Sequence, residues 1–286
     1  MPTFEELASI FLDEIQCMDF LLQCGALDHP GNCHSCGGIV RLESTRGSWR
    51  CSYSACRKEV SIRRSSFFGK SRLPLRKILL IAYLWLNRVP QTSAVMMTGC
   101  SSGTITDYYG HLRQLAADSL DEVDCKVGGP GIIVEVDESK FGKRKYNRGH
   151  RVEGVWVVGG VERTPEKKVF ACKVEKRDAE TLRDVISRFV LPGSIIYSDM
   201  WRGYDGLEEA LGLMHRTVNH SVEFVSSDGV HTNTVEATWC GMKVLIPKRN
   251  RTKQIDEHLW EYIWRKLNRE DLWSGFLKAL SEVSYQ

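Results

Sequence analysis

The sequence predicts an α/β core built on a mixed sheet, preceded by a small β-like module and a helical region. Three observations carry this expectation. Residues 131–199 hold three consecutive β runs, an amphipathic helix and a further β run, the pattern of a sheet with helices packed on it. Residues 33–66 are short, polar and β-like, with cysteines in two close pairs. Residues 3–27 and 74–118 space their apolar side chains at helical intervals.

In chain order, Phe4, Leu7, Ile10, Phe11, Ile15 and Met18 give one or two amphipathic helices, which "DHPGN" at 28–32 ends. "PLRKILLIAYLWLN" starts a helix at Pro74, a residue suited to helix entry, and stops before Pro90. "QTSAVMMTGC" is a short helix closed by Gly99, and "SSGTITDYYGHLRQLAADSL" follows with Ser101 or Ser102 as N-cap. Helix, short helix, glycine turn and polar helix make a helix-turn-helix pattern, although an ordinary bundle gives the same signal. "DCKVGGPG" at 124–131 has the composition of a linker. "GIIVEVDES", "VEGVWVVGGVE" and "KKVFACKVE" are strands, "DAETLRDVISRFV" is a helix capped by Asp178, and "GSIIYSD" is a strand. A short helix over "WRGYDGLEEALG", a last strand in "HRTVNHS" and a helix over "HTNTVEATWCGMK" complete the core. The expected organisation is therefore N-terminal helices over 1–27, the cysteine module over 28–70, a helix-turn-helix-like region over 71–123, the α/β core over 124–252, and a helical segment over 253–286 with Trp260, Trp264 and Trp273 on its apolar face.

Net charge is only +3, but it is unevenly spread. Residues 1–40 hold six acids and no Lys or Arg, whereas residues 41–77 hold eleven Lys or Arg against Glu43 and Glu59. "KFGKRKYNRGHR" at 140–151 adds six bases and "KVLIPKRNRTK" at 243–253 five, with no acid in either. Three separated basic blocks suit a polyanion that touches several parts of the chain, and a nucleic acid is the expected partner. No apolar run reaches the ~18–20 residues a membrane span needs. The acidic start "MPTFEELASIFLDEIQ" differs from a basic signal-peptide opening, so a soluble intracellular protein is expected.

Ten cysteines are many for such a setting, but four have ligand spacing. Cys33-x₂-Cys36 and Cys51-x₄-Cys56 put two thiolate pairs on two tight turns, which suits one structural tetrahedral Zn²⁺ in a zinc ribbon. Four thiolates close that site and leave His34 out of it. Cys17, Cys24, Cys100, Cys125, Cys172 and Cys240 are expected as free thiols.

Two acids end apolar strands: Asp137 closes "IIVEVD" and Asp199 closes "SIIYSD". A third, Glu236, lies on the later helix. Converging carboxylates repel one another, and a divalent cation relieves this. Hard oxygen ligands suit Mg²⁺ or Mn²⁺, and two such ions about 3.5–4 Å apart can carry out phosphoryl transfer. Asn233, Glu236, Cys240 and Lys243 fall on one helical stripe, with Val235, Trp239 and Met242 on the next. Lys243 lies about 10 Å beyond Glu236 along the axis, within reach of a phosphate. Glu135 shares the strand face of Asp137, and Glu138 is adjacent. His220 and His231 stand as supports or DNA contacts, against ordinary hydrogen-bonded roles.

"VDES", "YSDMWRGY" and "VNHS…DGVHTNTVEATWCGMK", with 36 residues between Asp199 and Glu236 and a lysine seven residues after Glu236, resemble the DDE transposases of the Merlin superfamily and their bacterial insertion-sequence relatives with the ISXO-like transposase domain. The resemblance spans about residues 28–268, including the cysteine module and "IPKRNRT". It implies a ribonuclease-H-like catalytic domain and cut-and-paste transposition, with Asp137, Asp199 and Glu236 as the catalytic acids on two Mg²⁺ or Mn²⁺ ions, and Asn233 at a position where some bacterial relatives could place a metal-binding amide. Double-stranded DNA, both terminal inverted repeats and target, is the implied partner, held by a homodimer or larger assembly. The expected DNA contacts are Lys243, Lys143, Arg144, Lys145, Arg148, Lys248, Arg249 and Arg251, with Ser102, Thr104 and Thr106 reading bases. Localisation would be nuclear in a eukaryotic host and cytoplasmic otherwise. A domesticated DNA-binding protein and a structure-specific nuclease or integrase are the competing functions.

Overall fold

The computed structural model describes residues 1–142, 154–218, 230–251 and 255–285. They form two compact units: residues 1–119 with 270–286, and residues 120–269.

The first unit begins with helices α1 (Ala8–Leu12) and α2 (Glu14–Gln23). Asp13 separates them, because its carboxylate accepts from the Ile15 and Gln16 amides and so starts a new helix. Strands β1 (Val40–Glu43), β2 (Ser48–Cys51) and β3 (Glu59–Ser61) make an antiparallel meander. Helices α3 (Leu75–Leu86), α4 (Gln91–Thr98) and α5 (Ser102–Asp118) follow, close to their expected bounds. Pro74 cannot cap α3 with a side chain, and the Glu14 carboxylate on α2 does so instead, accepting from the Leu75 and Arg76 amides at 2.7 and 3.1 Å. Gly99 closes α4 at φ +66°, a left-handed turn that glycine adopts without strain. Ser101 caps α5 through the Thr104 amide. The closing helix Leu272–Glu282 belongs to this unit. Its Trp273 is buried among Phe11, Phe20, Tyr83 and Phe276.

The second unit carries a five-stranded sheet. The element order is β4 (Val127–Gly128), β5 (Ile133–Phe141), β6 (Val155–Glu162), β7 (Val169–Val174), α6 (Ala179–Phe189), β8 (Val190–Leu191) and β9 (Ile195–Asp199), then α7 (Leu207–Leu211), β10 (Met214–Val218), α8 (Asn233–Leu245) and α9 (Asp256–Leu267). The strand order is β10-β9-β5-β6-β7. β5, β6 and β7 pair antiparallel, while β9 and β10 run parallel to β5. Parallel pairing needs crossovers, which α6 and α7 supply. Val134, Val136, Val158, Phe170, Leu182, Ile186, Trp239 and Ile263 are among the residues of its core.

Two boundaries differ from the sequence expectation. "DCKVGGPG" is not a free linker: Val127 is buried and pairs with Val190, and the Gly128 and Gly129 amides donate to Glu162 and Ser194. The segment expected as one C-terminal helical tail is divided, with α9 in the second unit and Leu272–Glu282 in the first. The basic residues Lys143, Arg144, Lys145 and Arg148, and His220, lie outside the described residues.

Candidate active site

In the first unit, the turns before β1 and after β2 bring four cysteines together. Cys33 and Cys56 sulfurs stand 3.7 Å apart, and those of Cys36 and Cys51 stand 3.4 Å apart. All four lie within 4.8 Å of one another. A tetrahedral ion with Zn–S bonds near 2.3 Å separates its sulfurs by ~3.8 Å, so the cluster fits Zn²⁺. Gly37, at φ +71°, allows the first turn to close. The Ser35 and Cys36 amides point at Cys33 and pull its thiol down to about 7, which favours the thiolate a metal needs.

In the second unit, the register builds a carboxylate site at one end of the sheet. β5 and β9 pair only as far as Glu135↔Tyr197, while β5 continues to Phe141 along β6. The two parallel strands thus part where Asp137 and Asp199, each two residues further on, occupy equivalent positions. Glu236 approaches from α8. The three are near enough for Asp199 and Glu236 to push the Asp137 carboxyl upward, although burial is the larger cause. The carboxylates are less tightly gathered than the thiolates, the group of described residues whose ligand atoms all lie within 4.8 Å. Their hard oxygens nevertheless suit Mg²⁺ or Mn²⁺.

Alternate residues of β5 fasten α8 to the sheet. Glu135 is fully buried and accepts from the Thr234 and Val235 amides at 2.7 and 3.0 Å, at the start of α8. It also accepts from the Thr234 hydroxyl and from Arg163 Nε at 2.6 Å. A carboxylate on a helix N-terminus satisfies orphan amides and complements the helix dipole. Asp137 accepts from Trp239 Nε1 at 2.8 Å. Ser139 accepts from Lys243 Nζ at 2.6 Å, and that ammonium also lies 5.3 Å from the Phe141 ring centre. Gly159 stands opposite Asp137 in the β5–β6 register, and a Cβ there would meet the Trp239 ring at 2.6 Å. The missing side chain is what lets Trp239 lie over the strand and reach Asp137.

The other face of β5 carries Glu138. Burial, then repulsion from Asp137 and Asp199, lifts its carboxyl to about 7, partly offset by Arg177. Its buried Oε1 completes no hydrogen bond among the described residues, nor does the buried Tyr204 hydroxyl.

Asn233, Glu236 and Cys240 are exposed along α8 as expected, and Val235, Trp239 and Met242 are buried. Lys243 folds back onto β5 and does not project freely. Arg251 is committed to the carbonyls of Lys243 and Ile246 at the end of α8, where a cation satisfies orphan acceptors, so its guanidinium is not a free DNA contact. Lys248 and Arg249 are exposed. His231 is bound to Arg163 through its ring and its carbonyl, a structural role. On α5, Ser102 and Thr106 are exposed, but the Thr104 and Thr106 hydroxyls hydrogen-bond within the first turns, to Ser101 Oγ and the Ser102 carbonyl. The Asp137–Trp239 bond, the Glu135 clamp and the setting of Glu138 were not read from the sequence. The period-two placement of Glu135 and Asp137 was the available signal.

The second unit is thus an α/β domain with carboxylates drawn toward one end of a mixed sheet, in a chain that also carries a four-thiolate module. Residues 127–271 match the ISXO2-like transposase domain, just over half of the chain, and the protein belongs to that family. It is also similar to an uncharacterized transposase-like protein of Haemophilus influenzae, 30% identical over 105 residues, which is 36% of this chain and 84% of that protein. The matched region contains Asp137, Asp199 and Glu236.

Proposed function

We propose that this chain is a DDE transposase whose second unit has a ribonuclease-H-like fold. The observation that carries the reading is the equivalent placement of Asp137 and Asp199 beyond the last pair of the β5–β9 register, with Glu236 on α8 near enough to act on Asp137. Three antiparallel strands followed by two parallel ones, with the acids on the first and fourth strands and on a later helix, support it. The proposed reaction is cut-and-paste transposition of the kind the Merlin superfamily carries out. Water attacks a phosphodiester at a terminal inverted repeat and releases a 3′-hydroxyl. That hydroxyl then attacks a phosphodiester of target DNA and releases a second 3′-hydroxyl.

Asp137, Asp199 and Glu236 would hold two Mg²⁺ or Mn²⁺ ions, which when bound activate the attacking oxygen and stabilise the leaving one. Trp239 fixes one oxygen of Asp137. Glu135 sets the start of α8 and with it the position of Glu236. Lys243 keeps a positive charge two residues along the strand from Asp137, where a phosphate of the bound DNA would lie. In the first unit, Cys33, Cys36, Cys51 and Cys56 would hold one structural Zn²⁺, and α5 would read the terminal repeat. Two ends must be cut and joined together, so the working form is a homodimer or larger. In a eukaryotic host it would act in the nucleus.

The test is an assay for Mg²⁺-dependent cleavage and strand transfer on duplexes carrying the terminal repeats that flank the gene. The reading requires 3′-hydroxyl ends and joined products. Binding with no cleavage under Mg²⁺ or Mn²⁺ would favour a domesticated DNA-binding protein, and cleavage without joining a nuclease.

A further inference from the structure

Beside the carboxylates lies a stack of cations and indole rings that none of the roles above uses. Lys140 on β5 faces Trp156 on β6 across the ladder, with its ammonium 5.3 Å from the ring centre. Arg177, just beyond β7, lies on Trp156 at 4.3 Å and on Trp201 at 4.7 Å. Its guanidinium carbon therefore lies over two indole rings at once. Trp201 follows Asp199 by two residues, and its amide donates to Asp199 Oδ1 at 3.0 Å. Its ring lies against Gly203, where a Cβ would approach to 2.2 Å, and meets Tyr204 edge-on. The stack is thus joined to the site at Asp199, and Arg177 also acts electrostatically on Glu138.

Arg177 is exposed and donates no hydrogen bond to any described residue. A guanidinium that rests on aromatic rings keeps its N–H donors available to a ligand. Such donors match two oxygens of one phosphate, and fixing them beforehand lowers the entropy cost of the contact. A solvated surface arginine has no need of two indoles.

We propose that Arg177, clamped by Trp156 and Trp201, is a preformed grip for one backbone phosphate of the DNA strand that lies across the carboxylates. The proposal rests on the reading of Asp137, Asp199 and Glu236 as a DNA-processing site. It makes Arg177 a strand-positioning residue that touches substrate.

The experiment measures binding of a fluorescein-labelled 20-base-pair duplex by anisotropy in Ca²⁺ across a KCl series, with full-length wild type, Arg177→Gln, Arg177→Lys and Arg177→Gln/Glu138→Gln. One lost phosphate contact lowers the log–log salt slope by about one. The expected result is that drop for Arg177→Gln, with affinity weakened roughly five- to tenfold and the slope still reduced in the double variant. Arg177→Lys should keep most of the slope but bind more weakly, because an ammonium has no planar face to rest on the rings. An unchanged slope in Arg177→Gln overturns the grip. A slope restored to wild type in the double variant overturns it too, because Arg177 would then serve to balance Glu138. Cleavage by Asp137→Asn is measured in parallel: normal cutting there sinks the carboxylate reading, whereas the slope alone judges the grip.

Discussion

At the scale of single residues, the acids of β5 differ by which face they occupy and what they touch. Asp137→Ala, Asp199→Ala and Glu236→Ala should each abolish Mg²⁺-dependent cleavage and leave duplex binding within a few-fold, because the ligands act as a unit. Normal cleavage by Glu236→Ala would remove α8 from the site and direct attention to Asn233. Glu135→Ala should instead destabilise the second unit. Glu135 is fully buried with Arg163 as ion-pair partner and caps α8, and breaking such a pair costs several kcal/mol. Glu138 yields a pH prediction. Its carboxyl titrates at about 7 in the fold against an ordinary 4.5. Between those values the folded chain holds a proton that the unfolded chain has lost. The stability this contributes is complete below 4.5 and is lost as pH rises through about 7. It amounts to on the order of 1–3 kcal/mol. In Mg²⁺-free buffer the Tm of wild type should therefore fall more between pH 5 and pH 8 than that of Glu138→Gln. Parallel curves for the two would refute the assignment.

At the scale of elements, the seam between α8 and the β5–β6 pair decides whether the site forms. Gly159 leaves the space that Trp239 fills, and its neighbour strand approaches as well, with the Phe170 carbonyl 2.8 Å from a notional Cβ. Gly159→Ala should displace Trp239, cost about 1–3 kcal/mol as overpacking does, and reduce cleavage by releasing Asp137 from its indole donor. Unchanged Tm and unchanged cleavage would show that the seam has slack. The β1–β3 module has little apolar content of its own beyond Trp49, Cys51 and Ile62, so the ion should supply much of its stability. Elemental analysis should find about one zinc per chain, and Cys33→Ser or Cys56→Ser should lose it and weaken DNA binding. Full DNA affinity in zinc-free protein would contradict this. Helix α5 borders a groove of about 620 Å³ whose other wall carries Arg64 and Lys70, a setting in which a helix and a basic loop could share one duplex.

At the scale of the whole molecule, moving an element requires two active sites in one complex. Trp264 and Trp273 are buried within their own units and are not available to a second chain. Assembly should instead depend on DNA. Light scattering of the complex with end duplexes should give at least two chains per pair of ends, and one chain per pair would exclude the proposed reaction. Binding should weaken steeply with salt, since Lys and Arg displace condensed counterions.

The sequence by itself determined the local elements and marked the cysteines and the strand-end acids as candidate ligands. Apolar spacing, Asp178, Ser101, Gly99 and the prolines are short-range signals, and they marked α3 to α6, β5 to β7 and β9 with small errors at the ends. The cysteine spacing and the acids at strand ends were legible for the same reason: ligand geometry is carried by a few neighbouring residues. Only the tertiary structure shows what each acid of β5 touches. Glu135, Asp137 and Glu138 are nearly equivalent in sequence, and the surroundings of Glu135 and Asp137 separate through partners 28 to 102 positions away at Arg163, Thr234 and Trp239. The commitment of Arg251 to α8, the pairing of Val127 with Val190 and the indole clamp on Arg177 arise in the same way. Each joins strands and loops far apart in the chain, and pattern within a short window carries no information about contacts made across it.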